Sequence, residues 1–125
     1  MSEQEIADRL VALCRKGEWV VAQRELYHPD ILSHEPESSN IPPSTGIDAI
    51  FEKNKQWMSM TEEIHGWSVS DPIVADGCFA CTMTNDVTLK GVGRIQSTEL
   101  CVYHVNEGKI VKEQFFHSPI EPDIT

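Results

Sequence analysis

His34 and Glu35 stand side by side just before Pro36, and an imidazole beside a carboxylate is the simplest pair for moving protons. In a strand, neighbouring side chains leave from opposite sides. The spacing therefore separates the two groups, which are not expected to act as a pair, and puts His34 at the surface or rim. Glu113 and His117 are the next titratable residues of interest. Four residues apart on one strand they share a face, roughly 13 Å from each other by strand rise. They are too far apart to touch but able to reach a shared substrate. Each candidate also has a plain structural alternative. Glu35 can be an exposed acid at a strand end, Glu113 an acid bonded to a core polar group, and His117 a rim histidine.

Cys78-x-x-Cys81 and Cys101-x-x-His104 supply the donor types of a four-ligand zinc site. Both pairs fall in strand-like runs, where residues three apart project to opposite faces, so neither pair converges without a bulge. Cys81 leads into Thr82-Met83-Thr84 and opens no helix, which sets aside a thioredoxin-like role. Packing thiols are the better account, and no metal is expected. The chain has no phosphate loop, Ser-His-Asp string, H-E-x-x-H or dinucleotide fingerprint, and no cofactor is expected.

Helical signals fill the first half of the chain and strand signals the second, the pattern of an α+β fold. Ser2 and Glu5 form a capping box for a first helix whose apolar positions Ile6, Leu10, Leu13 and Cys14 recur at helical spacing. Gly17 suits its C-terminal cap. A second helix runs from Glu18 to about Tyr27, with Trp19, Val20, Gln23, Leu26 and Tyr27 on its inner face. Pro29 blocks further helix, and Ile31–Glu35 reads as a short strand. After a loop ending at Pro42-Pro43, Thr45 and Asp48 suggest a cap for a third helix. Ile47, Ile50, Phe51, Asn54, Trp57 and Met58 would share one of its faces. From Glu63 the period changes to two, and an Asp76-Gly77 turn precedes three long strands, Cys78–Leu89, Ile95–Val105 and Lys109–Ser118. Three helices would then pack on an antiparallel, strongly curved sheet.

The 125 residues suit one domain with one core. A net charge of −10 argues against nucleic acid, which requires clustered Lys and Arg, and against anionic membranes. No apolar run approaches the roughly 20 residues of a membrane span. Met1-Ser-Glu-Gln-Glu5 is acidic where an export signal would be basic, so a cytoplasmic location with free thiols is expected.

The order helix, helix, short strand, helix and meander resembles the nuclear transport factor 2-like superfamily over about residues 4 to 118. It looks most like the SnoaL-like and ketosteroid isomerase-like branches. The matching pieces are Arg9–Leu13, Glu25–Asp30, His34–Pro36, Gly46–Ile50 and Asn106–Phe116. The resemblance implies a cystatin-like cone spanning residues 1–125 as a single domain, an apolar pocket between helices and concave sheet, and a homodimer through the other sheet face. It puts Glu35 where ketosteroid isomerases keep their base, and Val111, Glu113, Phe115 and His117 on the pocket side. Trp19, Tyr27, Trp57, Val102 and Phe115 are expected to line the pocket.

Two departures matter. The tyrosine donor of the first helix corresponds to Leu10, and the protonated acid of the penultimate strand falls near Leu100. Glu99 would replace that acid only with a one-residue shift that reverses its facing. A dienolate would then lack its usual electrostatic support, so steroid isomerisation itself is not expected. Two functions stay open. One is a cofactor-independent acid–base enzyme (isomerase, cyclase, dehydratase or hydrolase) on a small apolar polyketide-, terpenoid- or steroid-like molecule, using Glu35 with His117 or Glu113. The other is a non-catalytic ligand-binding or assembly module of the same fold.

Overall fold

The computed structural model of the chain describes residues 1–118. Helix α1 (Glu3–Arg15) begins at the expected capping box, in which Ser2 and Glu5 each bond the other's backbone N–H. Its inner stripe of Ile6, Ala7, Leu10, Val11, Leu13 and Cys14 is buried. Gly17 follows in the left-handed region at φ 75°, which glycine adopts without strain, and turns the chain into α2 (Trp19–Leu26).

Strand β1 (Tyr27–His34) starts at Tyr27, earlier than the sequence suggests. Tyr27 is therefore the first residue of a strand and not the last of a helix. Pro29 lies where the pairing of β1 breaks register between Tyr27 and Leu32, a place where a missing N–H costs no ladder bond. A short 3-10 turn (Glu37–Ser39) and strand β2 (Ser44–Thr45) lead to α3 (Ile47–Met60). The cap of α3 is Gly46 at φ 94°, with no side-chain bond, so the expected cap from Thr45 is not used. Gly46 instead donates its N–H to the Ile31 carbonyl at 2.7 Å. Along the apolar face expected for α3 only Ile50 is buried, and Met58 is exposed.

Strands β3 (Thr61–Val69), β4 (Ile73–Ala75), β5 (Cys78–Leu89), β6 (Gly93–Asn106) and β7 (Lys109–Phe116) complete a sheet in the order β2-β1-β7-β6-β5-β3, with β4 also on β5. The sheet is mixed, which corrects the all-antiparallel expectation. β1 pairs in parallel with β7, so the first strand returns beside the last. Helices α1–α3 cover the concave face, where Phe79 and Tyr103 stack at 4.9 Å between ring centres. Among the described residues no helix is long and apolar enough to cross a membrane.

Candidate functional site

The parallel pairing of β1 with β7 brings distant polar side chains together. Ser33 lies beside Glu113, and Glu113 pairs across the other edge of β7 with Tyr103. Two residues on, Phe115 pairs with Cys101. One step past the Leu100–Phe116 pair, the same alternation sets His117 across from Glu99. On β1 it returns Glu35 to the side of Ser33. The concave face thus carries three polar rungs, spaced about 7 Å apart by strand rise.

The innermost rung is sealed. Glu113 is 3% exposed and accepts hydrogen bonds from the Tyr27 hydroxyl and, at 2.9 Å, from Ser33 Oγ. Burial raises the Glu113 carboxyl above the ordinary range despite these donors and the nearby Lys53 charge. Tyr27 and Tyr103 are driven well above the usual phenol value, chiefly by burial. Glu113 and Tyr27, expected to meet a ligand, therefore lie beneath the surface that a ligand can touch.

The middle rung is accessible. Glu35 Oε1 sits 2.6 Å from Lys53 Nζ of α3, with the two side chains 16% and 26% exposed. Lys53 also donates to Ser33 Oγ at 3.0 Å and lies 5.7 Å from the centre of the Phe115 ring. One ammonium thereby ties Glu35 to the serine that holds Glu113. Lys53 follows the buried Ile50 by three positions, so helical periodicity places it on the inward side of α3.

At the outer rung burial pushes Glu99 up to about 7, opposed by His117 and reinforced by Glu35. Glu99 shares the face of the buried Cys101 and Tyr103, while Leu100 points outward and is exposed. The acid of the penultimate strand is thus on the concave face with no register shift, contrary to expectation. His117 Nδ1 donates to the Ser118 carbonyl at 2.7 Å, which leaves Nε2 as the ring nitrogen that can exchange a proton with a ligand.

Three further expectations are corrected. Val102, expected to line the pocket, pairs with Gln114 and Ala80 on the convex face, away from the side that the helices cover. Val111 is the extra residue of a bulge between β6 and β7, and Ile110 takes the interior position in its place. His34 is on the convex side as alternation requires, but its Nε2 is buried with no hydrogen-bond partner among the described residues. Phe115 and Trp19 are half-buried against the core, and Trp57 is half-buried on α3.

Cys81 pairs with Cys101 on the inner face and Cys78 with His104 on the outer face, so these four groups do not surround one point. Cys14, Cys78, Cys81 and Cys101 are all free thiols. Among the described residues no group of three or more His, Cys, Asp or Glu side chains is arranged to hold a metal. A groove of about 240 Å³ over Gly66, Ser68, Thr84 and Gln96 also includes Asp86, whose carboxylate is tied to Arg94.

The SnoaL-like domain family matches residues 1–117. A crystal structure of a candidate SnoaL-like polyketide cyclase from Mesorhizobium loti is similar at 33% identity and TM-score 0.87, covering 93% of this chain and 99% of that one. An NTF2-like protein from Burkholderia thailandensis superposes at TM-score 0.81 with 14% identity, covering 94% and 92% of the two chains. IdmH, a candidate polyketide cyclase from Streptomyces antibioticus, does so at TM-score 0.70 with 18% identity, covering 94% and 93%. No curated protein matches the chain.

Proposed function

The chain belongs to the SnoaL-like domain family, and from that premise we propose that it is a cofactor-independent acid–base enzyme acting on a compact apolar molecule. The observation supporting this reading is the gathering of Glu35, Glu99 and His117 around the half-buried Phe115, on the one face that the helices enclose. Glu35 acts as the base that removes a proton from carbon. Glu99, poised near neutrality, and His117 return a proton to carbon or oxygen. Such an exchange serves isomerisation, cyclisation, dehydration or hydrolysis of a polyketide-, terpenoid- or steroid-like substrate. Glu113 and Tyr27 support the site from behind and do not touch the substrate.

The convex face suits a second copy of the chain. Leu100 and Phe116 pair in register there at 42% and 46% exposure, next to Val102. We also assign the protein to the cytoplasm, where Cys81 and Cys101 remain thiols although they face each other.

One observation favours a ligand-binding module instead. Leu10 is 2% exposed and packed in the core, so α1 offers no donor to the pocket at that position. A thermal-shift screen of small apolar ligands, followed by turnover of the hits, separates the two readings. Turnover abolished by Glu35→Gln supports the enzyme. Binding without any turnover supports the module.

A further inference from the structure

We propose that Lys53 is the electrophile of this site, and that the substrate is a carbonyl compound with an acidic C–H beside its C=O group. The inference rests on the reading of Glu35 as a base and adds to Glu99 and His117, one rung further out, a fixed cationic donor for the oxygen on which charge develops.

A lysine ammonium has three N–H donors and no acceptor. Among the described residues Lys53 Nζ has two oxygen partners, Glu35 Oε1 at 2.6 Å and Ser33 Oγ at 3.0 Å. These two bonds fix the head of an otherwise flexible side chain and leave the third N–H for a ligand lying against Phe115, whose ring centre is 5.7 Å away. The hydroxyls nearby are already committed. Tyr27 is 6% exposed and bound to Glu113, and Tyr103 is 2% exposed. Leu10 offers no donor. Glu99 and His117 lie one rung further out, so the cation in contact with Glu35 is the donor nearest the carbon from which the proton is taken.

Enolisation also requires this neighbourhood. An α-hydrogen and its carbonyl oxygen are only three bonds apart, so base and donor must be adjacent, as Glu35 and Lys53 are. In the step, a Glu35 oxygen takes the proton from carbon. The C–H electron pair becomes the C=C bond, the carbonyl π pair moves onto oxygen, and the Lys53 N–H bonds that oxygen. Lys53 forms no covalent bond and gives up no proton. The enolate then takes the proton back from Glu35 at another carbon, or its C=C pair attacks a second carbonyl carbon of the same molecule, whose π pair moves onto oxygen and takes the Glu35 proton as the ring closes. A fixed charge aimed at the developing oxyanion, inside a partly dry site, is the arrangement that contributes most to such reactions.

The test uses 4-nitrophenol, whose phenolate mimics an enolate and absorbs at longer wavelength than the phenol, with 4-nitroanisole as the neutral control. The background is Glu35→Gln, in which the base is uncharged, as it is after accepting the proton. This variant is expected to bind the phenolate at least tenfold more tightly than the anisole. The double variant Glu35→Gln/Lys53→Met, which leaves no unpaired carboxylate in the middle rung, is expected to lose that preference while keeping anisole binding. Phenolate binding equal in the two variants overturns the proposal, and so does absence of phenolate preference in Glu35→Gln. Should the double variant not fold, Glu35→Gln/Lys53→Gln takes its place under the same criterion. No turnover is measured here, so a failure of the acid–base reading, judged by the activity of Glu35→Gln, is distinguishable from a failure of this one.

Discussion

Glu99 stands across the sheet from His117, one step beyond the last paired residues of β6 and β7, and its carboxyl is pushed from 4.5 to about 7 by burial. Because the folded state holds this proton more tightly than the unfolded chain, the stabilisation is fully present below pH 4.5. It is lost as pH rises through 7. The span corresponds to at most about 3 kcal/mol. Glu113, also raised, acts with the same sign. Urea melts from pH 4.5 to 8 should show stability declining over this range, more steeply in the wild type than in Glu99→Gln. Above pH 7 the variant should be the more stable of the two.

The sealed rung has its own signature. Tyr27→Phe removes the hydroxyl that donates to Glu113, and Ser33→Ala removes the other donor. Each leaves a buried carboxyl short of a partner, and each should cost roughly 1–3 kcal/mol in denaturant unfolding. The mixed case, Tyr27→Phe with Glu113→Gln, should cost less than the two single losses combined, since the groups form one network.

Thiol reactivity should be sharply uneven. Burial pushes Cys14 up to about 12. Cys101 is raised by its bond to Cys81 and by burial, and Cys81, though lowered by that bond, is only 3% exposed. Cys78, half-buried on the convex face, is the one expected to react with an aromatic disulfide reagent in the native protein. Unfolding should release the other three. Rapid native labelling of more than one thiol would contradict the packing of β5 against β6.

Gly17 combines two constraints. Its φ of 75° disfavours any side chain, and an added Cβ would stand 3.2 Å from the Trp67 ring, whose Nε1 donates to the Cys14 carbonyl at 3.0 Å. Gly17→Ala should destabilise by about 1–2 kcal/mol and red-shift tryptophan emission as the Trp67 ring is displaced toward water. Gly91→Ala has the same sign of φ and open space around it, so it should cost less.

The proposed second copy is tested on the convex face. The 14.1 kDa chain should sediment as a dimer, and Leu100→Glu with Phe116→Glu should reduce it to a monomer that still folds. A wild-type monomer at micromolar concentration would remove the dimer from the proposal.

The fold was legible because its signals are local. The Ser2–Glu5 box, the stripe from Ile6 to Cys14 and the period-two runs each report on their own segment. The alternation also placed Glu113, Phe115 and His117 on one side of β7. It failed at Val111, where a bulge inserts one residue and hands the interior to Ile110. It failed at Glu99 for a different reason. Counting from a resemblance landed on Leu100, whereas the buried neighbours Cys101 and Tyr103 carry the true phase of β6. Lys53 was missed because nothing on α3 announces that its head reaches β1, a contact spanning 20 residues. Which sheet edge β1 joins is likewise a long-range choice that no local pattern encodes.

That parallel pairing also sets an order of events. Ser33 and Glu113 are 80 residues apart, and Tyr27 and Glu113 are 86 apart. During synthesis β1 emerges early yet has only the two-residue β2 to pair with until β7 leaves the ribosome. Closing so long a loop comes late and slowly. The chaperone-sensitive interval of this protein should therefore end when β7 docks, and a nascent chain halted before Lys109 would have helices and a meander but no partner for β1 beyond β2.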